Sequence, residues 1–271
     1  MSAAAPRTEG ERWTREELRR LLDGRFSPAA IHRFLAASTR RAGEVRSARP
    51  ALARQSNLWL GTGALAWIAL AAAGCEPYRR RMMPALAWWA AVTAMVHWHL
   101  GMFETEDGDP RPLGAADALT MTRVWLVPAL ADDLDPRLLA VAAATDVLDG
   151  VAARAARPTR AGRDLEGLAD AAVLLAALHA AARTNRLAHP VVGLEAIRLL
   201  AGMGYAAAVY FARADAPDPA VTRAARHTTP IRVAGLLAAG AGCRRGGHVL
   251  LVTGSATGLV SLARGVRRRR T

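Results

Sequence analysis

The sequence contains no lysine: all 36 of its basic residues are arginine. That absence excludes a P-loop, whose lysine reaches the terminal phosphates, and a Schiff-base enzyme, so any phosphate must be held by arginine, backbone amides or a metal ion. Cysteine is nearly as scarce. Cys75 and Cys243 each stand at the end of an apolar run with neither a CxxC partner nor a histidine pair, which argues against a zinc site or disulfide framework and for core or lipid-facing thiols. His179 and His189 likewise lack companions at ligand spacing and read as ordinary helix or interface residues. Aromatic residues make up only 5%, and there is no zinc-finger spacing or RNP-like segment, so the net charge of +13 is not read as a nucleic-acid surface. The first 50 residues are polar and arginine-rich with no apolar h-region, so no secretory signal is read there and the amino terminus is expected in the cytoplasm.

What is present is grease beside charge: 52% hydrophobic residues with a mean hydropathy of +0.11. The two must be segregated, and arginines flanking membrane spans explain the charge. Leucines and arginines separate at helical spacing near 14–22 and 28–42, predicting two helices that lie on the membrane surface, pack on a partner or form a solvated extension. Apolar runs follow at 58–75 and 83–100, joined by EPYRRR, and then an acidic linker, ETEDGDPRPLG. Six more apolar segments lie at about 118–131, 136–157, 163–183, 189–212, 228–243 and 248–264. Their alanine content suits close helix packing in a compact bundle. The expected fold is therefore an all-α, polytopic membrane helix bundle. Its parts are a cytosolic helical extension (1–56), an extra transmembrane hairpin with the acidic linker (57–116), and a six-helix core (117–271). Eight crossings put both termini inside. The arginines of EPYRRR then lie on the less favoured side, outweighed by Arg41, Arg46, Arg49 and Arg54 before the first span and the terminal RRRR.

One stretch breaks the apolar pattern: TDVLDGVAARAARPTRAGRDLEGLAD, Thr145 to Asp170. Asp146 and Asp149 are three apart and Glu166 and Asp170 four apart, so each pair shares one helix face. Pro158 and Gly162 mark a break that folds the second helix back beside the first, bringing the two pairs to one spot. Converging carboxylates near a membrane surface suit a hard cation, Mg²⁺ or Mn²⁺, whose usual partner is a diphosphate. Gly150 and Ala153, one turn away, lack bulk where a nucleotide or sugar would press against the helix. The competing reading pairs the acids with Arg154, Arg157, Arg160 and Arg163 to close a loop.

The order Asp146-x-x-Asp149-Gly150-x-x-Ala153-Arg154, seven residues, then Gly162-x-x-x-Glu166-x-x-x-Asp170 resembles the signature D-x-x-D-G-x-x-A-R-x8-G-x3-D-x3-D of the CDP-alcohol phosphatidyltransferases. The spacer is one residue short, and Glu166 stands where the family has its third aspartate. Upstream, DALTMTRVWLVP resembles the family's L-T-x-x-R-x-x-x-x-P helix at Leu119, Thr120, Arg123 and Pro128. RAARHTTPIR resembles its basic-threonine segment at Arg226 and Thr228. The resemblance covers about Asp117 to Arg264 and leaves residues 1–116 outside.

The resemblance implies transfer of a phosphatidyl-type group from a CDP-linked lipid such as CDP-diacylglycerol to an alcohol, with release of CMP, in phospholipid biosynthesis. It implies Mg²⁺ or Mn²⁺ on Asp146, Asp149, Glu166 and Asp170, with Asp170 as general base. Thr120, Gly150, Ala153, Arg154 and Gly162 would meet the nucleotide. It also implies membrane lipids as surroundings, a homodimer, and a bacterial cytoplasmic membrane with the active site facing the cytoplasm. Arg226 and Arg232 are candidates for a phosphate on the acceptor, with snorkelling to lipid headgroups as the alternative. Arg198 is expected to pair with Glu195, while Arg123 is left open between phosphate binding and snorkelling. Two other functions compete: a membrane lipid-binding or scaffold protein of the same fold that has lost turnover through Glu166, and an aspartate-rich membrane prenyltransferase. The close spacing of the two acidic pairs speaks against the prenyltransferase.

The expected topology is tested by cysteines replacing Ser2 or Thr271 in a Cys75→Ser, Cys243→Ser background. A membrane-impermeant maleimide is expected to label both only from the cytoplasmic side; labelling of either from outside would require a different number of crossings.

Overall fold

A computed structural model of the chain describes residues 8–105, 107–155, 159–213 and 218–267. Among these residues there are twelve α-helices and no strand: α1 (Glu9–Asp23), α2 (Pro28–Ala48), α3 (Pro50–Ala72), α4 (Glu76–Arg80), α5 (Met82–Trp98), α6 (Ala115–Leu130), α7 (Pro136–Ala155), α8 (Arg160–Arg183), α9 (His189–Arg213), α10 (Pro219–Arg226), α11 (Thr229–Gly240) and α12 (Arg244–Arg267). All eight apolar segments are helical, as α3, α5–α9, α11 and α12. The protein is an all-α polytopic helix bundle. Three described helices are long and apolar enough to cross a membrane, Arg160–Arg183, His189–Ala212 and Arg244–Arg267. The two amino-terminal helices are longer than their leucine pattern suggested. Thr8 caps α1 by accepting the Glu11 N–H at 3.2 Å, and Ser27 caps α2 by accepting that of Ala30 at 3.3 Å, with Pro28 behind it in the first turn.

The chain forms two compact units, residues 1–128 with 145–170, and residues 129–144 with 171–271. In the first, one hydrophobic core draws on both sides of the compositional boundary at 116/117. Leu52 and Leu60 of α3 and Val92 and Val96 of α5 pack with Phe103, Leu113, Val124 of α6 and Ala161, Leu165 and Ala169 of α8. Indole N–H groups fasten these helices to one another. Trp125 donates to the carbonyl of Gly63 at 2.8 Å and Trp89 to that of Leu60 at 2.8 Å. Trp88 donates to the carbonyl of Val124 at 2.9 Å. That acceptor has a specific cause: Pro128, inside α6, has no N–H to offer the carbonyl four residues earlier. Gln55 joins α3 to the linker twice, donating to the Leu113 carbonyl and accepting its N–H, both at 3.0 Å. On the surface Glu9 of α1 accepts from Arg41 of α2 at 2.8 Å, and that guanidinium holds the Glu9 carboxyl below its ordinary range.

In the second unit α11 and α12 approach closely because glycines face each other. A Cβ on Gly235 would lie 3.2 Å from the Gly247 carbonyl oxygen, and one on Gly247 3.0 Å from that of Gly235. This is the small-residue packing expected of helices associating in lipid.

The seat of Trp89 against α3 makes one glycine there essential and another dispensable. A Cβ at Gly63 would collide with the Trp89 ring, whereas Gly61, two residues away on the same helix, faces open space. Gly63→Ala is expected to lower the thermal midpoint in detergent, losing about 1–3 kcal/mol to forced repacking. Gly61→Ala is expected to be neutral or to gain up to about 1 kcal/mol from helix propensity. Equal effects would mean that the ring is not seated there.

Candidate metal and nucleotide site

The site belongs to the first unit and is built on three helices. Pro136 at its amino-terminal end and the alanine-rich run behind it let α7 form, and Asp146 and Asp149 come three residues apart near its carboxyl end. The α8 helix is started by Thr159, whose hydroxyl accepts the Gly162 N–H at 2.9 Å, and it carries Glu166 and Asp170 on one face. Thr120 and Arg123, three apart on α6, complete the set.

Arg123 is the centre, at 1% exposure. Its Nη2 donates to Asp149 Oδ2 at 2.7 Å, its Nη1 lies 3.2 Å from Asp146 Oδ1, and its Nε lies 3.3 Å from Asp170 Oδ1. The last two are ion-pair contacts that lack hydrogen-bond angles. Asp149 is buried with the arginine and also accepts from the Thr120 hydroxyl at 2.8 Å. Burial of an arginine is tolerable only when its charge is met, and three aspartates from two helices surround it here. In return, the guanidinium sets the direction in which each carboxylate points.

Asp146 and Asp170 are only partly covered, with side-chain exposures of 43% and 39%. Together with Glu166 each can place a carboxylate oxygen within 4.8 Å of the other two. Like charges at such separation repel by about 3–4 kcal/mol per pair at an effective dielectric of 20, and a cation between them turns that repulsion into attraction. Ion–oxygen distances of about 2.1 Å put neighbouring oxygens of an octahedral Mg²⁺ shell about 3.0 Å apart and opposite ones about 4.2 Å apart. The three carboxylates suit a hard divalent ion in chemistry, and the 4.8 Å bound on their separation is slightly wider than that shell.

Of the four ligands expected, Asp146, Glu166 and Asp170 converge, while Asp149 faces Arg123 and Thr120. Gly150 follows Asp149 and is half-buried. The side chains of Ala153 and Arg154 lie outside the described residues, as do those of Arg157 and Arg163. Gly162 sits in the first turn of α8, where a Cβ would lie 2.6 Å from Asp117 Oδ1 and 2.8 Å from the Thr159 hydroxyl, so glycine there lets α8 close on α6. The competing loop-closing arrangement is testable at Arg160, which pairs with Glu11 at 3.0 Å and approaches Glu104 at 3.9 Å.

Arg226 and Arg232 belong to the second unit. Arg226 is exposed at the end of α10. Arg232 is buried, its Nη1 donating to Glu195 at 2.6 Å and its Nη2 to the Thr229 hydroxyl at 2.7 Å. Arg198 pairs with the same Glu195 at 3.0 Å, as its spacing suggested, and the Ser255 hydroxyl donates to it at 2.6 Å. Gly254 makes the room, since a Cβ there would lie 2.6 Å from Arg232 Cγ. Sequence reasoning missed Arg123 as the organiser and Glu195 as the shared partner of two arginines. The available signals were an arginine one turn after Thr120 in an apolar helix, and a lone acid in the second turn of α9.

Comparison with curated proteins and with solved structures yields no match. The family model for CDP-alcohol phosphatidyltransferase matches residues 113–259, a stretch that begins just before α6 and contains every residue of the acidic site. That span is more than half of the chain, and the protein belongs to the CDP-alcohol phosphatidyltransferase family.

Proposed function

We propose that this protein transfers a phosphatidyl-type group from a CDP-linked lipid, of the CDP-diacylglycerol kind, to an alcohol acceptor and releases CMP, on the cytoplasmic side of the membrane. Family membership already gives the coarser statement: a membrane transferase of phospholipid biosynthesis that moves a phosphatidyl group from a CDP-alcohol and generally uses a divalent metal. The observation that supports the finer reading is the convergence of Asp146, Glu166 and Asp170 within 4.8 Å, in register with Gly150 and Gly162.

In this reading Asp146, Glu166 and Asp170 would hold a divalent ion at the place of the donor diphosphate. The chemistry such an ion supplies when bound is neutralisation of the charge that gathers on departing CMP. Asp170, in the family pattern the base, accepts the proton of the acceptor hydroxyl at a carboxylate oxygen. The freed oxygen bonds to the lipid-linked phosphorus, the bond from that phosphorus to CMP breaks, and CMP leaves with the electron pair. Arg123 keeps Asp146 and Asp170 aimed outward while Thr120 and Asp149 hold it from behind. A base must come within about 2.6–3.2 Å of the proton it takes, so a fixed Asp170 matters more than a strong one.

Arg232 already contacts Glu195, Thr228 and Thr229. We keep Arg226 and Arg232 as candidates for the acceptor's phosphate, Arg232 as a group held in place by Glu195 rather than a lone cation.

Asp146→Asn and Asp170→Asn are expected to lower Mg²⁺-dependent CMP release from CDP-diacylglycerol at least about 100-fold, the upper end of what losing a metal site's supporting partner costs. Turnover within a few-fold of wild type in both variants would refute the site.

Glu166 decides between an enzyme and a relative that only binds lipid. Its longer arm offsets the spacer that is one residue short, so Glu166→Asp is expected to lower CMP release and Glu166→Ala to abolish it. A higher rate in Glu166→Asp would show decay of the site rather than compensation, and a wild type inert with every alcohol tried would favour the binding protein.

A further inference from the structure

The helix that carries Glu166 and Asp170 is gripped at its amino terminus by parts of the chain that precede the family-matched region. Arg160, the first residue of α8, donates from Nη1 to Glu11 Oε2 of α1 at 3.0 Å, and its backbone N–H donates to the Glu104 carbonyl at 3.0 Å. The Glu104 carboxylate is buried at 3% exposure and accepts from the hydroxyl of Thr8, the residue that caps α1. Gly10 lets the two come together, since a Cβ there would lie 3.0 Å from both Glu104 Oε1 and the Gly101 carbonyl oxygen. Beside them Thr159 donates to Asp117 at 3.4 Å, tying the same end of α8 to α6.

We infer that Glu11 and Arg160 are positioning residues for the acidic site, and that α1 with the linker around Glu104 sets where α8 places its carboxylates. The inference rests on the reading of Asp146, Glu166 and Asp170 as a cation site. Glu166 and Asp170 follow Arg160 by six and ten residues, about 9 and 15 Å along a helix. Over that distance a helix moves as a rod, so a shift at Arg160 reaches both carboxylates. Asp146 sits on a different helix and does not move with them. The three oxygens keep their mutual distances only if α8 is held along its axis, and misplacement by about 1 Å is enough to lose about 100-fold in a site of this kind. The shortened spacer sharpens the need: with one residue fewer between Arg154 and Gly162 than the family pattern, the start of α8 must be fixed by something outside that pattern. The contacts of Arg160 with Glu11 and Glu104 do this.

The test is Mn²⁺ binding to the full chain in detergent, followed by loss of the free-ion electron paramagnetic resonance signal, alongside CMP release and thermal melting. Glu11→Ala and Arg160→Gln are each expected to weaken Mn²⁺ binding roughly 10-fold, the lower end for an outer partner of a metal site. The double variant is expected to be no weaker than Arg160→Gln alone, since that substitution already removes the contact that Glu11→Ala removes. Arg160→Lys, which can still reach Glu11 with one donor, is expected to stay near wild type. Wild-type Mn²⁺ affinity in Glu11→Ala and Arg160→Gln, whatever their melting temperatures, would overturn the inference and leave the site reading intact. Absence of Mn²⁺ binding in the wild type would overturn both. Glu11 lies on the partly exposed face of α1, so its alanine variant keeps the test decisive even if Arg160→Gln fails to fold.

Discussion

A single buried guanidinium, that of Arg123, constrains everything else at the acidic end of the bundle. Its charge cannot be left unpaired in so dry a place, so α7 and α8 must bring carboxylates to it. Asp149 satisfies it most completely and is thereby withdrawn from the surface. Asp146 and Asp170 meet it from the side and stay partly exposed. The division of labour among these acids follows from one arginine, not from the acids themselves, which are chemically equivalent.

The same logic organises the second unit, where Glu195 is fully buried and serves Arg198, Arg232 and Ser255 together. Each unit thus holds a buried group of one sign ringed by partners of the other. In both cases small residues make the approach possible: Gly162 where α8 closes on α6, and Gly254 where α12 passes Arg232. Steric permission and electrostatic need are supplied by different residues.

The sequence announced what is local. Eight apolar runs separated by charged or proline-containing breaks mark eight helices, and carboxylates three and four apart declare their shared faces. The pair Glu195 and Arg198 was readable for the same reason. What could not be read depends on partners far apart in the chain: Arg123 with Asp149, Glu11 with Arg160, Glu195 with Arg232. Nothing in the spacing of an arginine tells which distant acid it meets. Asp149 illustrates the limit, since its place in the motif is shared with Asp146 but its surroundings are not.

The indole of Trp88, on a helix outside the family-matched region, supplies the hydrogen bond that Pro128 withholds from the Val124 carbonyl. Proline at this place opens a polar gap in an apolar helix, and the tryptophan closes it from a neighbouring segment. The two residues are therefore conditional on each other. A chain that lost α5 while keeping Pro128 would strand a carbonyl in apolar surroundings, and one that replaced Pro128 would free Trp88 to change. The helices α5 and α6 are in this sense joint heirs of one backbone defect, so neither can be exchanged for a counterpart without regard to the other.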